Sequence, residues 1–194
     1  MQFVRGDTLD LGAGTQKYRS MIEPNTKSYI AMDIIAAPGI AVVGDIHATP
    51  FTDNSFDTII STQILEHVRK PWLVAIEMYR IARPGGHIIV TAPFMVGYHP
   101  DPEDNFRFTK DGLALLFREA GFTIKDYGFY GSMGGVFSEA VHFTWFNPYT
   151  KKHSKFGAKM MSYFERFIRK IDHWFPRRAV FANSFVIAIK PDIK

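Results

Sequence analysis

The stretch Thr8-Leu9-Asp10-Leu11-Gly12-Ala13-Gly14-Thr15-Gln16 constrains the fold more than any other part of the chain. A short apolar run ends at an acidic residue, and two glycines follow at i and i+2. Such a run reads as a buried strand that hands the backbone into a tight loop free of side chains, leaving room for a ligand. Several nucleotide-binding folds use a loop of this kind, so the residues that follow it at fixed distances decide the reading.

Apolar runs and helical patterns alternate along the rest of the chain, which is the signature of an α/β fold with a mostly parallel sheet. Strands are expected at Thr8–Leu11, Tyr29–Met32, Ala41–Gly44, Asp57–Ser61, His87–Ala92, Phe122–Phe129 and Phe181–Ile189. Gln16–Glu23 allows at most a short helix, because Pro24-Asn25 stops it. Ile34–Ile40 is too short to hold a full helix. A helix is expected from about Pro71 to Ala82, with most of its apolar face supplied by Leu73, Ile76, Met78, Tyr79 and Ile81. Arg83-Pro84-Gly85-Gly86 breaks it. Thr109 can cap a further helix carrying Leu113, Leu115, Leu116 and Phe117, which Gly121 ends.

In an open parallel sheet, ligands bind beyond the carboxyl ends of the strands, where strand order reverses. The second strand ends at Asp33, about 20 residues after Gly12, where an acid can accept hydrogen bonds from a ribose diol. A nicotinamide-dinucleotide site would share these features. Two observations oppose that assignment. Lys17 stands where G-x-G-x-x-G requires its third glycine, and the third strand ends in Gly44-Asp45-Ile46, an acid-plus-apolar pair suited to an adenine amino group and ring.

Six segments in order carry a resemblance. They are Leu9-Asp10-Leu11-Gly12-Ala13-Gly14; Asp33; Gly44-Asp45-Ile46-His47-Ala48-Thr49-Pro50-Phe51; Asn54-Ser55-Phe56-Asp57; Leu65-Glu66-His67-Val68; and Arg80-Ile81-Ala82-Arg83-Pro84-Gly85-Gly86. Over about residues 8–130 the chain resembles the small-molecule branch of the class I S-adenosylmethionine-dependent methyltransferases. The resemblance implies a Rossmann-like, doubly wound, seven-stranded α/β sheet, mostly parallel, with the last strand antiparallel. It implies that Asp10, Gly12, Ala13 and Gly14 cradle the methionine moiety of S-adenosylmethionine. Asp33 then takes the ribose hydroxyls, Asp45 and Ile46 the adenine, and Gln63 the sulfonium end. Gln16 departs from the family's pattern, which commonly has glycine at the end of the loop.

The segment Pro93–Thr109 follows the fifth strand and falls at the ligand edge by the same strand-end rule. Its pattern His99-Pro100-Asp101-Pro102-Glu103-Asp104-Asn105-Phe106-Arg107-Phe108-Thr109 resembles a loop of methyltransferases found among polysaccharide-biosynthesis enzymes. That implies a sugar or lipid-linked sugar as the small-molecule acceptor. His99 is the candidate general base, needed only if a hydroxyl must lose its proton. Arg107 either contacts an anionic group of the acceptor or fixes the loop. His99, Asp101, Glu103 and Asp104 are of metal-ligating type, but the intervening prolines and irregular spacing favour no metal.

Composition narrows the alternatives. A chain of 194 residues, 46% of them hydrophobic, has the size of a single domain with a sizeable core. The absence of cysteine removes disulfides, thiolate catalysis and Cys-ligated zinc, and fits a reducing compartment. No apolar segment near the start reads as a signal peptide, and none reaches the ~20 residues that span a bilayer. The expected location is therefore cytoplasmic. Between Lys151 and Arg178 stand nine basic residues and two acidic ones, a charge of +7 that leaves −3 for the rest of a chain of net charge +4. Within that segment a basic amphipathic helix is expected over about 156–175, between strands six and seven. Its apolar face of Phe156, Met160, Phe164, Phe167, Ile171 and Trp174 either packs on the domain or touches an anionic membrane at the inner face. Nucleic acid is not the expected partner, since no binding fold accompanies the charge. A second functional class stays open: a cofactor-binding or partner-binding module that has lost catalysis.

Overall fold

The computed structural model describes residues 2–131, 134–137, 140, 163, 166–167 and 181–192. The expected helix over 156–175 lies outside them apart from Tyr163, Arg166 and Phe167, all exposed. Among the described residues no helix is long and apolar enough to cross a membrane.

Seven strands form one sheet: β1 Asp7–Leu11, β2 Ser28–Asp33, β3 Val42–Val43, β4 Phe56–Thr62, β5 Ala82–Pro93, β6 Thr123–Tyr130 and β7 Asn183–Ile189. Their order across the sheet is β3-β2-β1-β4-β5-β7-β6. β1 pairs in parallel with both β2 and β4, and β4 with β5. β7 is antiparallel to β5 and to β6, so among the described strands it alone runs against the sheet. The expected α/β, Rossmann-like seven-stranded sheet with a reversed last strand is observed. The order reverses between β1 and β4, which places the ligand edge at the carboxyl ends of those two strands.

The β1–β2 crossover is as short as Pro24 requires: helix α1, Arg19–Ile22, then a 3-10 turn over Glu23–Asn25. Between β2 and β3 there is no helix, as the length of Ile34–Ile40 dictates. Helices α2, Pro71–Ile81, and α3, Lys110–Glu119, cover one face of the sheet. That face holds the main core: Leu9 and Leu11 of β1, Ile59 of β4, Ile88 and Val90 of β5, and Val186 of β7, under Val74, Met78, Leu113 and Phe117. Thr109 caps α3 as expected, accepting the Gly112 N–H at 3.0 Å.

Two expectations are corrected. In α2 the buried residues are Pro71, Val74, Ala75, Glu77, Met78 and Ile81, whereas Leu73 and Ile76 are exposed. Apolar residues run almost without a break from Trp72 to Ile76, so periodicity does not select the face. Burying Glu77 is feasible because Thr49 donates its N–H and hydroxyl to it and Arg80 pairs with it at 2.6 Å. Arg83–Gly86, read as a breaker between helix and strand, instead belongs to β5, whose Ala82 pairs with Phe56. Glycine at 86 serves close backbone approach, since a Cβ there would stand 2.8 Å from the Arg83 carbonyl oxygen and 3.1 Å from that of Phe56.

On the other face of the sheet, Val4, Ile22 and Ile60 form a small second cluster. Beside it lies a cleft of about 470 Å³ with a mainly apolar lining that includes Ile89, Phe185, Ile187, Tyr18 and Tyr130.

Candidate active site at the carboxyl edge of β1 and β4

The loop after β1 is bent by positive φ at Gly12 (77°), Gly14 (48°) and Gln16 (53°). The N–H groups of Gly12 and Ala13 both donate to the Met32 carbonyl, at 2.9 and 3.0 Å, which ties the loop to the end of β2. Gly12 is also sterically required, because a Cβ there would lie 2.4 Å from Cγ1 of Ile64. A Cβ on Gly14 would meet nothing within 4 Å, so the loop is open above that residue. Gln16, the departure from the family pattern, donates from Nε2 to the Pro38 carbonyl at 2.8 Å and accepts from Arg19 at 3.0 Å. The side chain thus braces the loop against the β2–β3 connection.

Asp33 closes the loop from the neighbouring strand. Its carboxylate accepts the Gly14 N–H at 2.8 Å and the Ile35 N–H at 3.0 Å. Asp10 is 5% exposed, and its carboxylate accepts the Tyr29 hydroxyl at 2.6 Å. Burial, with Asp33 near by, raises the Asp10 pKa despite that bond. It is a support within the loop rather than an exposed ligand group. Asp45 accepts the His47 N–H at 2.9 Å and lies 2.7 Å from its Nδ1. These contacts hold its carboxyl below the ordinary value, while 61% of the side chain stays exposed. Ile46 packs against the main core.

Gln63 sits just past β4 with φ 58°, its N–H on the Thr91 carbonyl at 2.9 Å. Its Nε2 donates to the Thr91 hydroxyl at 3.1 Å and the Tyr130 hydroxyl at 3.2 Å. Thr91 and Tyr130 also line the apolar cleft, so the cleft opens beside Gln63. All eight expected cofactor positions therefore fall at the ends of β1, β2 and β4 or in the loop after β3.

The Pro93–Thr109 loop is stitched to the residues after β4. Asn105 donates its N–H to the Glu66 carbonyl at 2.7 Å, and His67 Nδ1 lies 2.6 Å from the Glu103 carbonyl. Arg107 directs all five of its N–H bonds inward: to the Val96, Phe106 and Gly97 carbonyls at 2.8–3.0 Å, and to both Asp104 oxygens. Of the two expected roles, fixing the loop is the one this geometry supports. Burial alone would raise the Asp104 pKa, but the Arg107 bonds and the His99 N–H outweigh it and hold the carboxyl down to about 2. Glu103, paired with Arg69, is likewise held down to about 2. Asp104 Oδ2 also stands 3.7 Å from His99 Nδ1, but both Asp104 oxygens are already taken by Arg107.

Sequence reading missed Glu66. In sequence it is one residue of the segment Leu65–Val68, yet its side chain is fully buried and neither oxygen has a hydrogen-bond partner among the described residues. Burial raises its pKa to about 7. Nε2 of His67 and Nε2 of His99 each stand 3.7 Å from its Oε1. The signal was available: an acid flanked by Ile64-Leu65 and Val68, directly after a buried strand. Tyr29 and Tyr130 were also missed, because only the folded sheet brings them to Asp10 and Gln63.

Comparison with known proteins bears on the domain and its fold. Residues 9–90 match the family model described as a methyltransferase domain. A protein of Mycobacterium tuberculosis (strain ATCC 25177 / H37Ra), described as an uncharacterized methyltransferase, is 28% identical over 101 residues, which are 46% of this chain and 40% of that protein. The chain thus matches less than half the length of such relatives. Among solved structures, a SAM-dependent methyltransferase from Archaeoglobus fulgidus superposes with a TM-score of 0.64 at 16% identity, over 97% of this chain and 88% of that one. Phosphoethanolamine N-methyltransferase 2 from Haemonchus contortus, solved with S-adenosyl-L-methionine, gives 0.59 at 15% identity, over 97% and 49%.

Proposed function

We propose that this chain, whose residues 9–90 match a methyltransferase-domain model, is a class I S-adenosylmethionine-dependent methyltransferase that moves a methyl group to a hydroxyl of a small, amphiphilic acceptor such as a lipid-linked sugar. The observation that carries the reading is the closure of the Gly12–Gly14 loop onto the Asp33 carboxylate at the strand-order switch between β1 and β4. The residues present fit S-adenosylmethionine. The space above Gly14 is open, Asp33 offers carboxylate oxygens to a diol, and the exposed Asp45 and half-buried Ile46 offer an acceptor and an apolar surface for adenine.

When bound, S-adenosylmethionine supplies a methyl group already activated on a positively charged sulfur, so no protein nucleophile is required. The chain's own task is to position the partners and exclude water. Gly12, Ala13, Gly14, Asp33, Asp45, Ile46 and Gln63 are the proposed cofactor contacts, and Asp10, expected from sequence among them, supports the loop from within. Gln63 is held by Thr91 and Tyr130, which makes it a fixed rather than a swinging group at the reacting end. His99 is the proposed group nearest an acceptor proton.

The cleft beside Gln63 supports an acceptor with an apolar part, since its lining is aromatic and aliphatic. A sugar hydroxyl would then face the edge while a lipid portion lay along the sheet. The basic segment Lys151–Arg178 supports a peripheral contact with an anionic membrane. Salt-sensitive binding to anionic liposomes, and none to neutral ones, is the expected result for that contact.

Isothermal titration of the folded protein with S-adenosylhomocysteine tests the cofactor reading; no heat of binding would remove it. Transfer of a labelled methyl group to extracted glycolipid pools tests the acceptor class. Cofactor binding without transfer to any pool would favour the module that has lost catalysis.

A further inference from the structure

We infer that Glu66, His67 and His99 form a binding site for one divalent transition-metal ion, at the junction of β4 and the Pro93–Thr109 loop. One carboxylate oxygen and two imidazole nitrogens gather there with all three donor atoms within 4.8 Å of one another. The two imidazole rings stand nearly perpendicular, at 88°, with centroids 5.3 Å apart. Around a tetrahedral zinc ion with bonds of about 2.0–2.2 Å, donors stand roughly 3.3–3.6 Å apart. Both Nε2-to-Oε1 separations are 3.7 Å, close to that spacing before any ion draws the side chains in.

The histidine tautomers are set from behind. His67 Nδ1 lies 2.6 Å from the Glu103 carbonyl, and His99 Nδ1 lies 2.8 Å from the Gly97 carbonyl. A carbonyl only accepts, and Arg107 Nη2, 3.5 Å from His99 Nδ1, already donates to the shorter partners Gly97 and Asp104, so each Nδ1 is assigned the proton and each Nε2 a lone pair toward Glu66. Backbone carbonyls orienting imidazoles in this way are the usual outer shell of a metal site. Arg107 and Asp104 fix the His99 segment in turn, through the Gly97 carbonyl and the His99 N–H.

Glu66 supplies the independent observation. A fully buried carboxylate with no hydrogen-bond partner among the described residues is costly to maintain, and a cation satisfies it directly. The His67 and His99 side chains are 16% and 21% exposed, so the donor cluster has an approach from solvent on the histidine side. Two nitrogens and one oxygen suit zinc, cobalt, manganese or iron(II) better than magnesium or calcium. Three protein donors leave at least one position open, as in catalytic rather than structural sites. If the methyl-transfer reading holds, that position is where an acceptor hydroxyl would bind with its pKa lowered, its proton passing to solvent water, and His99 would be a ligand in place of a base.

The experiment is a titration of the EDTA-treated full chain with Co²⁺ alone, followed by visible absorption, and with Zn²⁺ alone, followed by elemental analysis after gel filtration. One equivalent bound per chain, with Co²⁺ bands in the visible region, is the expected result. Affinity should fall at least tenfold in Glu66→Gln and in His99→Ala, with far-UV circular dichroism confirming that each is folded. Failure of the folded wild-type chain to retain a stoichiometric ion overturns the inference, as does undiminished binding in both variants. Because S-adenosylhomocysteine titration is a separate readout, loss of the metal reading leaves the cofactor reading standing.

Discussion

The Asp33 carboxylate accepts the Gly14 N–H at 2.8 Å, joining the end of β2 to the turn that follows β1. The acid proposed for the ribose diol is therefore also part of the frame that shapes the glycine loop. A substitution there should affect the ligand and the loop together. In Asp33→Asn we expect S-adenosylhomocysteine to bind at least tenfold more weakly by calorimetry, a loss of about 1.4 kcal/mol or more. Unchanged affinity would separate Asp33 from the site.

Gly12 should not tolerate a methyl group. In Gly12→Ala the positive φ and the approach of Ile64 add, and we expect a loss of about 1–3 kcal/mol in stability together with loss of cofactor binding. Combining it with Ile64→Ala removes the clash but not the backbone strain. A double-mutant cycle from urea melts should show favourable coupling between the two changes. Simple additivity would count against the contact.

Arg107 is expected to matter for stability before it matters for chemistry. Its removal in Arg107→Ala leaves the inaccessible Asp104 carboxylate without its cation, a cost of about 3–5 kcal/mol. Thermal melting should show a large drop, part of which Asp104→Asn in the same chain restores. A folded Arg107→Ala protein of wild-type stability with altered acceptor use would instead support a role in contacting the acceptor.

Glu77 gives a pH-dependent expectation away from the site. Burial alone would raise its pKa, but the bonds from Arg80 and Thr49 hold the carboxyl below its ordinary value. A carboxyl depressed in the folded state contributes stability that is fully present above its unfolded pKa of about 4.3 and is lost as pH falls through the folded value. Glu77→Gln should therefore cost about 1–3 kcal/mol at pH 7, with a smaller difference from wild type below pH 4. Urea melts at the two pH values measure this. A gap that grows with acid would reverse the sign and refute the network.

Much of the fold was readable because its signals are local. The strands of β1, β2, β4 and β5 are short apolar runs bounded by acids, prolines and glycines, and Thr109 announces α3. Where signals depend on partners, reading failed. Leu73 and Ile76 are apolar and suitably spaced for the inner face, yet Glu77 occupies it because Thr49 and Arg80 satisfy its carboxylate. Arg83–Gly86 reads from sequence as a helix breaker, but its service to β5 depends on the Phe56 carbonyl lying against Gly86.

The sequence alone determined the order of elements, the glycine loop and the acids Asp33, which ends β2, and Asp45, which follows β3, because each is encoded by neighbours along the chain. The tertiary structure decided which of those groups act together. It tied Gly14 to Asp33, fixed Gln63 between Thr91 and Tyr130, closed Arg107 onto Asp104, and brought His99 to Glu66 and His67 across 32 and 31 intervening positions. These pairings cross between strands and loops distant in the chain, and only the reversal of strand order between β1 and β4 sets them at one edge.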